Sequence, residues 1–255
     1  MKTPETSWGG VADWYNQLLS TDEDSFQRRV ILPNLLRLVA PKAGLRVLDL
    51  ACGSGFFSRE LLAACPSLAP ITAVDLSAEL IALAKQAETK NISYFVAPAH
   101  KLGIVEKASQ DVVMSILAIQ NIAEVKEVFA EVRRVLAPGG RLLLVLNHPA
   151  FRIPKFSAWG WDEAEGRQYR RVDRYLSEQR SEIQMHPGSA PGVTTLSFHR
   201  PLQWYAKLLT NQGFVISRLE EWVSHRESQR GPRQVAEDLA RKEIPLFLYL
   251  EARLG

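Results

Sequence analysis

Val47-Leu48-Asp49-Leu50-Ala51-Cys52-Gly53-Ser54-Gly55-Phe56-Phe57-Ser58 is the stretch on which the fold turns. It reads as a buried strand, a glycine turn and the opening of a helix, the context in which a loop wraps a ligand at a helix N-terminus. Gly53 and Gly55 allow backbone with φ > 0 and let a ligand lie against the chain with no Cβ in the way. Asp49 sits inside the strand end. Asp75, twenty residues past Gly55, falls at the tip of the next strand, where a carboxylate accepts hydrogen bonds from both hydroxyls of a ribose. The expected ligand therefore contains a nucleoside. A dinucleotide loop carries a third glycine where its helix packs on the strand. Here Ser58 stands at that place, and Asp49 adds negative charge that disfavours pyrophosphate but suits an ammonium or a sulfonium.

Outward from this loop, short β-branched apolar runs alternate with amphipathic stretches from Leu45 to Leu146, the mark of βαβ units in a parallel sheet covered on both faces. Strands are predicted at Arg46–Leu50, Ile71–Asp75, Ile92–Val96, Asp111–Ile116 and Arg141–Leu146, and helices at Ser58–Ala64, Ala78–Glu88 and Glu124–Leu136. Val125, Val128, Phe129, Val132, Val135 and Leu136 make one stripe on the last helix, and Pro138-Gly139-Gly140 turns the chain into the next strand. Before the loop, Trp8–Leu19 and Phe26–Val39 repeat apolar residues at helical spacing. After it, Phe151–Arg180 shows no clear period, and Arg174–Met185 with Val193–His199 reads as a hairpin across the turn-rich His186–Gly192 segment. Pro201 suits the first turn of a helix to Asn211, closed by Gly213, with Phe214–Val223 and Ile244–Ala252 as the last two strands.

The fold expected is α/β, a doubly wound, mostly parallel seven-stranded sheet in a single domain over 1–255. Residues 1–43 are N-terminal helices and 44–150 the cofactor-binding core. Residues 151–200 are an insertion between the fifth and sixth strands, over the sheet's active edge, and 201–255 the closing helix and strands.

Asp49-Leu-Ala-Cys-Gly53-Ser-Gly55 resembles the first motif of class I S-adenosylmethionine-dependent methyltransferases, and Ala73-Val-Asp75-Leu-Ser77 is similar to their second. Gln110–Ile116 resembles the family's fourth strand and Glu131–Arg141 its corner from helix to fifth strand, so the likeness covers about residues 44–150. It implies methyl transfer to a small molecule, with S-adenosyl-L-methionine as cofactor and S-adenosyl-L-homocysteine as product. It further implies that the loop with Asp49, Ala51, Gly53, Ser54 and Gly55 meets the methionine moiety, and that Asp75 holds the ribose with Leu76 beside it. Ala99, His100, Ser115 and Ile116 would flank adenine and sulfonium. Many members carry Gly-Asp-Ala after the third strand, with the Asp on the adenine amino group; this chain reads Ala97-Pro98-Ala99-His100.

In an open α/β sheet the reactive crevice lies beyond the C-terminal strand ends, which makes Gln120-Asn121 and Asn147-His148-Pro149 the acceptor-side candidates. Much of the acceleration of methyl transfer comes from holding a nucleophile in line with the C–S bond. A hydroxyl acceptor of high pKa gains from a general base, for which His148 is the candidate; its other reading is a turn histidine bonded to backbone before Pro149. Tyr15, Gln120, Trp159 and Trp161 are the candidate substrate contacts. Trp159 and Trp161 belong to an aromatic group with Phe151, Phe156, Tyr169 and Tyr175, joined by Trp14 and Tyr15. The group reads as a lid over an apolar or aromatic acceptor, as the insertion's own core, or as a dimer interface. Arg167, Arg170, Arg171 and Arg174 either bind a carboxylate or phosphate or form a solvated face with Asp162, Glu163, Glu165 and Asp173.

With 31 Lys+Arg against 28 Asp+Glu, the net charge of +3 gives no long basic stripe for nucleic acid. Nucleic-acid enzymes that methylate exocyclic nitrogens place Asn/Asp-Pro-Pro-aromatic after the fourth strand, where this chain reads Ser115-Ile-Leu-Ala118. Cys52 and Cys65 are too few for a disulfide framework and lack metal-ligand spacing, so no metal is expected. Met1–Gly10 has no apolar leader, and no run approaches the roughly 20 residues that span a bilayer. The expectation is a cytoplasmic monomer or homodimer acting on a small molecule, with no membrane or nucleic-acid partner. The competing readings are a nucleic-acid methyltransferase, a non-catalytic cofactor-binding module and an NAD(P)-dependent oxidoreductase.

Overall fold

The computed structural model describes residues 8–87, 89–184 and 194–255; the turn expected at 186–192 lies outside them, as do Glu88 and the side chains of Tyr15 and Ser20. The chain opens with α1 (Ala12–Thr21) and reaches α2 (Leu32–Val39) through a π-helical turn, Gln27–Ile31. Strands β1 (Val47–Leu50), β2 (Ile71–Asp75), β3 (Ile92–Val96), β4 (Gln110–Ile116) and β5 (Leu136–Asn147) then alternate with α3 (Phe56–Ala64), α4 (Ala78–Gln86) and, between β4 and β5, α5 (Val125–Val135). Two hairpins follow, β6 (Ser157–Asp162) with β7 (Arg167–Val172) and β8 (Gln179–Gln184) with β9 (Thr194–His199). The chain closes with α6 (Leu202–Asn211), β10 (Phe214–Trp222), α7 (Gln234–Glu243) and β11 (Phe247–Leu254).

Strand alternation explains why helices cover both faces. Leu142, Leu144 and Leu146 of β5 pack with Leu48 and Leu50 under α5 and α6. Their neighbours Leu143 and Val145 point the other way and pack with Val47, Val112 and Met114 under α2 and α3. The seven-stranded sheet has the order β10-β11-β5-β4-β1-β2-β3, with β1 to β5 parallel and β11 antiparallel to both neighbours. Strand order reverses at β1, between β4 and β2, and the crevice that this opens at their C-terminal ends is where α/β sheets take ligands.

Three local features depart from the sequence expectation. Pro138-Gly139-Gly140 is a bulged entry into β5, where the register jumps from Gln110 opposite Leu136 to Val112 opposite Arg141. A Cβ on Gly140 would stand 2.8 Å from the Ala137 carbonyl oxygen and 3.0 Å from that of Gln110, so only glycine fits. The hairpin β6–β7 falls in the segment without a period, because the sheltered side of β7 carries Gln168 and Arg170, with Val172 as its one apolar residue. Helix α7 was not expected at all; Val235 and Leu239 lie exposed on it, so no buried stripe marks it.

At the end of the sheet away from the crevice, Arg141 ties three elements together. Its guanidinium donates to the carbonyls of Leu38 at 2.8 Å and Val39 at 2.5 Å, closing α2, and to Glu251 on β11 at 3.2 Å. Tyr249 Oη and Arg253 also donate to Glu251, which is 4% exposed. Burial alone would raise this carboxyl, yet Arg253 and Arg141 hold it below the usual carboxylate range. Arg141→Met is expected to cost about 3 kcal/mol, because it strips a buried carboxylate and two helix-end carbonyls of a donor. Urea denaturation reads the loss, and a change under about 1 kcal/mol would show the junction to be slack.

Candidate functional site

Within the glycine loop, Ala51, Gly53 and Gly55 all adopt left-handed backbone, with φ of 60°, 58° and 77°. Gly55 has a second reason to lack a Cβ, which would lie 2.5 Å from Tyr94 Oη. This curl turns the loop's amides toward the end of β2. Asp75 accepts from the Gly53 N–H at 2.8 Å with one oxygen and from the Ser77 N–H at 2.9 Å with the other. Burial pushes its pKa up, opposed by these backbone donors.

Asp49 is 2% exposed and, among the described residues, its one hydrogen-bond partner is Ser58 Oγ, which donates at 2.6 Å. Burial, aided by the nearby Asp75, pushes its pKa up to about 7 against the pull of that hydroxyl. Ser58 therefore stands where a dinucleotide loop has glycine because its hydroxyl is the donor that Asp49 requires.

These groups border a cavity of about 380 Å³ at the C-terminal ends of β1, β2 and β4. Leu76, Ala97, Pro98, Ala99 and His100 line one end of it. At the other end Leu117 is held at φ 56°, a strained value for a leucine, with its N–H donating to the Val145 carbonyl at 2.7 Å. Gln120 Nε2 donates to the Leu117 carbonyl at 2.6 Å, and Gln120 Oε1 is buried without a partner among the described residues. Asn121 Nδ2 donates to the Leu196 carbonyl at 2.9 Å and fastens the β8–β9 hairpin over the cavity, where Ile183 and Ser197 join its lining. Trp8, Leu19 and Gln27 close it from the N-terminal side.

Asp49, Ala51, Gly53, Asp75, Leu76, Ala99, His100, Ile116 and Gln120 all line this one cavity. Ser54, Gly55 and Ser115 stand behind it; the Ser54 and Ser115 hydroxyls are buried without a partner among the described residues. Tyr15 lies on α1, with its side chain outside the described part.

Three candidates are corrected, because His148, Trp159 and Trp161 do not line this cavity. His148 accepts the Ala150 N–H on Nδ1 at 3.2 Å, so Nε2 carries the proton and donates to Glu221 at 2.7 Å. Burial lowers its pKa, with Glu221 acting against that. It is the turn histidine of the alternative reading. Trp159 and Trp161 ride on the β6–β7 hairpin, which packs beside α7 instead of over the loop, and face Arg170 and Arg233 respectively. The sequence reading missed Leu19, Gln27, Ile183 and Ser197. No motif marks them, because they reach the cavity only through the way α1 and the second hairpin fold back.

Comparison with known proteins agrees with this geometry. Residues 48–144 match a family described as a methyltransferase domain. The ubiquinone/menaquinone biosynthesis C-methyltransferase of Geotalea daltonii is 30% identical over 149 residues, 56% of this chain and 60% of that protein. The malonyl-[acyl-carrier protein] O-methyltransferase of Hahella chejuensis is 34% identical over 136 residues, 52% of this chain and 46% of that protein. The chain spans about half the length of the curated relatives it matches. A solved S-adenosylmethionine-dependent methyltransferase from Mesorhizobium loti superposes with a TM-score of 0.68 at 28% identity, covering 86% of this chain and 96% of that one. A structure from Listeria monocytogenes shares the fold at the same TM-score and 24% identity, covering 87% of this chain and 97% of that one. Over residues 48–144 in sequence, and over most of its length in fold, the chain is similar to S-adenosylmethionine-dependent methyltransferases.

Asp49 makes the stability of the fold depend on pH. Its pKa is near 7 in the fold and near 3.9 in the unfolded chain, so between these values the folded state keeps a proton that the unfolded state has lost. Stability from this group is therefore full below about pH 4, falls as pH rises, and is lost above 7. Asp49→Asn keeps an acceptor for Ser58 and is expected to stabilise the empty protein at pH 8 by on the order of 2–4 kcal/mol while changing little at pH 4. Urea denaturation at the two pH values checks this; equal stability at pH 8 would place the Asp49 pKa in the ordinary range.

Proposed function

We propose that the chain transfers the methyl group of S-adenosylmethionine to a small molecule of apolar or aromatic character. The observation that carries this reading is the pairing of Asp75, bonded to the Gly53 amide, with the buried, underpartnered Asp49 in one cavity whose remaining wall is largely apolar.

The residues fit such a cofactor. Asp75 keeps lone pairs free of Gly53 and Ser77 for the two ribose hydroxyls. Asp49 places negative charge behind the loop, suited to the ammonium of the methionine part. Leu76, Pro98 and Ala99 offer apolar surface for the adenine, with no carboxylate at the place where many relatives carry one. When bound, the cofactor supplies an electrophilic methyl group on sulfur. Leu19, Phe56, Phe57, Ile116, Leu117 and Ile183 exclude water from the acceptor and hold it for in-line attack, while Gln120 Oε1 and Asn121 orient its polar atoms. Both nitrogens of His148 are engaged, so positioning rather than that base carries the step. The relatives include a C- and an O-methyltransferase, so the shared core does not by itself select carbon or oxygen as acceptor.

In calorimetry, S-adenosylhomocysteine should bind and NADH should not, with Asp75→Ala weakening the former about 100-fold through loss of two charge-assisted hydrogen bonds. Binding of NADH in preference would replace this reading with an oxidoreductase. Because the ligand's ammonium favours ionised Asp49, affinity should fall up to about tenfold per unit below pH 7 and be level in Asp49→Asn. A pH-independent wild type would remove Asp49 from the ammonium site.

A further inference from the structure

A second cavity, of about 250 Å³, opens between the β6–β7 hairpin, the approach to β11 and Phe26, and shares no lining residue with the first. Its walls include Phe26, Phe151 and Trp159 with Ile244, Pro245 and Leu246. Three arginines, Arg152, Arg170 and Arg241, also line it.

Several arginines elsewhere are paired with a carboxylate, as Arg134 is with Glu131, Arg171 with Asp173 and Arg233 with Glu163. Among the described residues none of these three forms an ion pair. Arg170 donates to the Phe151 carbonyl at 2.7 Å and to Ser157 Oγ at 2.8 Å, with its guanidinium 5.2 Å from the Trp159 ring centre. Arg241 donates to Ser228 Oγ at 3.1 Å, and Arg152 lies over the Phe247 ring at 5.5 Å. Nearby carboxylates are committed to other groups, Asp238 to the Ser228 N–H, Glu221 to His148, Glu163 to Arg233 and Asp173 to Arg171. Burial lowers the pKa of Arg152, the adjacent Arg170 lowers it further, and burial acts on Arg170 as well. Arginine stays charged under such shifts, so two partly buried like charges stand together with no counter-ion among the described residues.

We propose that this cavity binds the oxyanion end of a small molecule, a carboxylate or phosphate carried on an apolar body. Planar guanidinium groups match the geometry of either oxyanion, and the Phe, Trp and Ile walls receive the body. The cluster differs from a structural ion-pair network in one respect that can be measured. Its unpaired charge is a cost to the empty protein, so removing it should not harm the fold.

Thermal unfolding tests the site with phenyl phosphate and benzoate as probes, each against sodium chloride of equal ionic strength. At least one probe is expected to raise the melting temperature of the wild type beyond the salt control, and the stronger identifies the headgroup. Arg152→Met, which keeps the packing on Phe247, should abolish that rise while melting no lower than wild type and binding S-adenosylhomocysteine as wild type does. Arg241→Gln should weaken probe binding at least fivefold. The proposal is overturned if neither probe exceeds the salt control, if the rise persists in Arg152→Met, or if that variant melts lower and Arg241→Gln binds the probe unchanged.

Discussion

The hydrogen bond from the Gly53 amide to Asp75 joins the two halves of the site, because it fastens the loop after β1 to the end of β2. The loop could not curl this way with ordinary backbone, since Ala51, Gly53 and Gly55 all occupy the left-handed region. Nor could it be remodelled cheaply around a side chain at Gly55, because Tyr94 from β3 fills that space. Three parallel strands therefore determine the position of one carboxylate. The order of those strands in the sheet determines in turn that the crevice lies beside it.

This core was legible because its signals are local. Strand–glycine–helix order, the spacing from Gly55 to Asp75 and the alternation of buried runs all lie within one continuous stretch, and that stretch supplies most of the lining at the cofactor end. Legibility fell where position depends on how distant segments fold back. Gln120, just past β4, lines the cavity, whereas His148, just past β5, is turned away toward Glu221 on β10. The aromatic cluster had the composition of a lid, yet the hairpin carrying Trp159 and Trp161 packs beside α7, and the roof is the less aromatic β8–β9 hairpin with α1. Helix α7 escaped notice for a related reason, since a helix with exposed Val235 and Leu239 leaves no periodic trace of burial.

Charge is distributed unevenly between the two ends of the sheet. Where β5 begins and β11 ends, Glu251 is surrounded by Arg141, Arg253, Tyr249 and Ser217, and every oxygen is satisfied. At the crevice, by contrast, Asp49 has a single hydroxyl and a like-charged neighbour. The first arrangement serves the fold and the second lowers its stability, a contrast that separates structural from functional placement of a buried carboxylate.

The weak support given to the buried Asp49 reaches beyond chemistry. A protein destabilised by its own empty site unfolds locally or globally more often than its core would dictate, and unfolded chains are what proteases remove. A cation seated beside Asp49 reverses that penalty by mass action. The lifetime of the molecule in a cell would then rise and fall with the supply of its ligand, so that abundance itself becomes a readout of whether there is work to do.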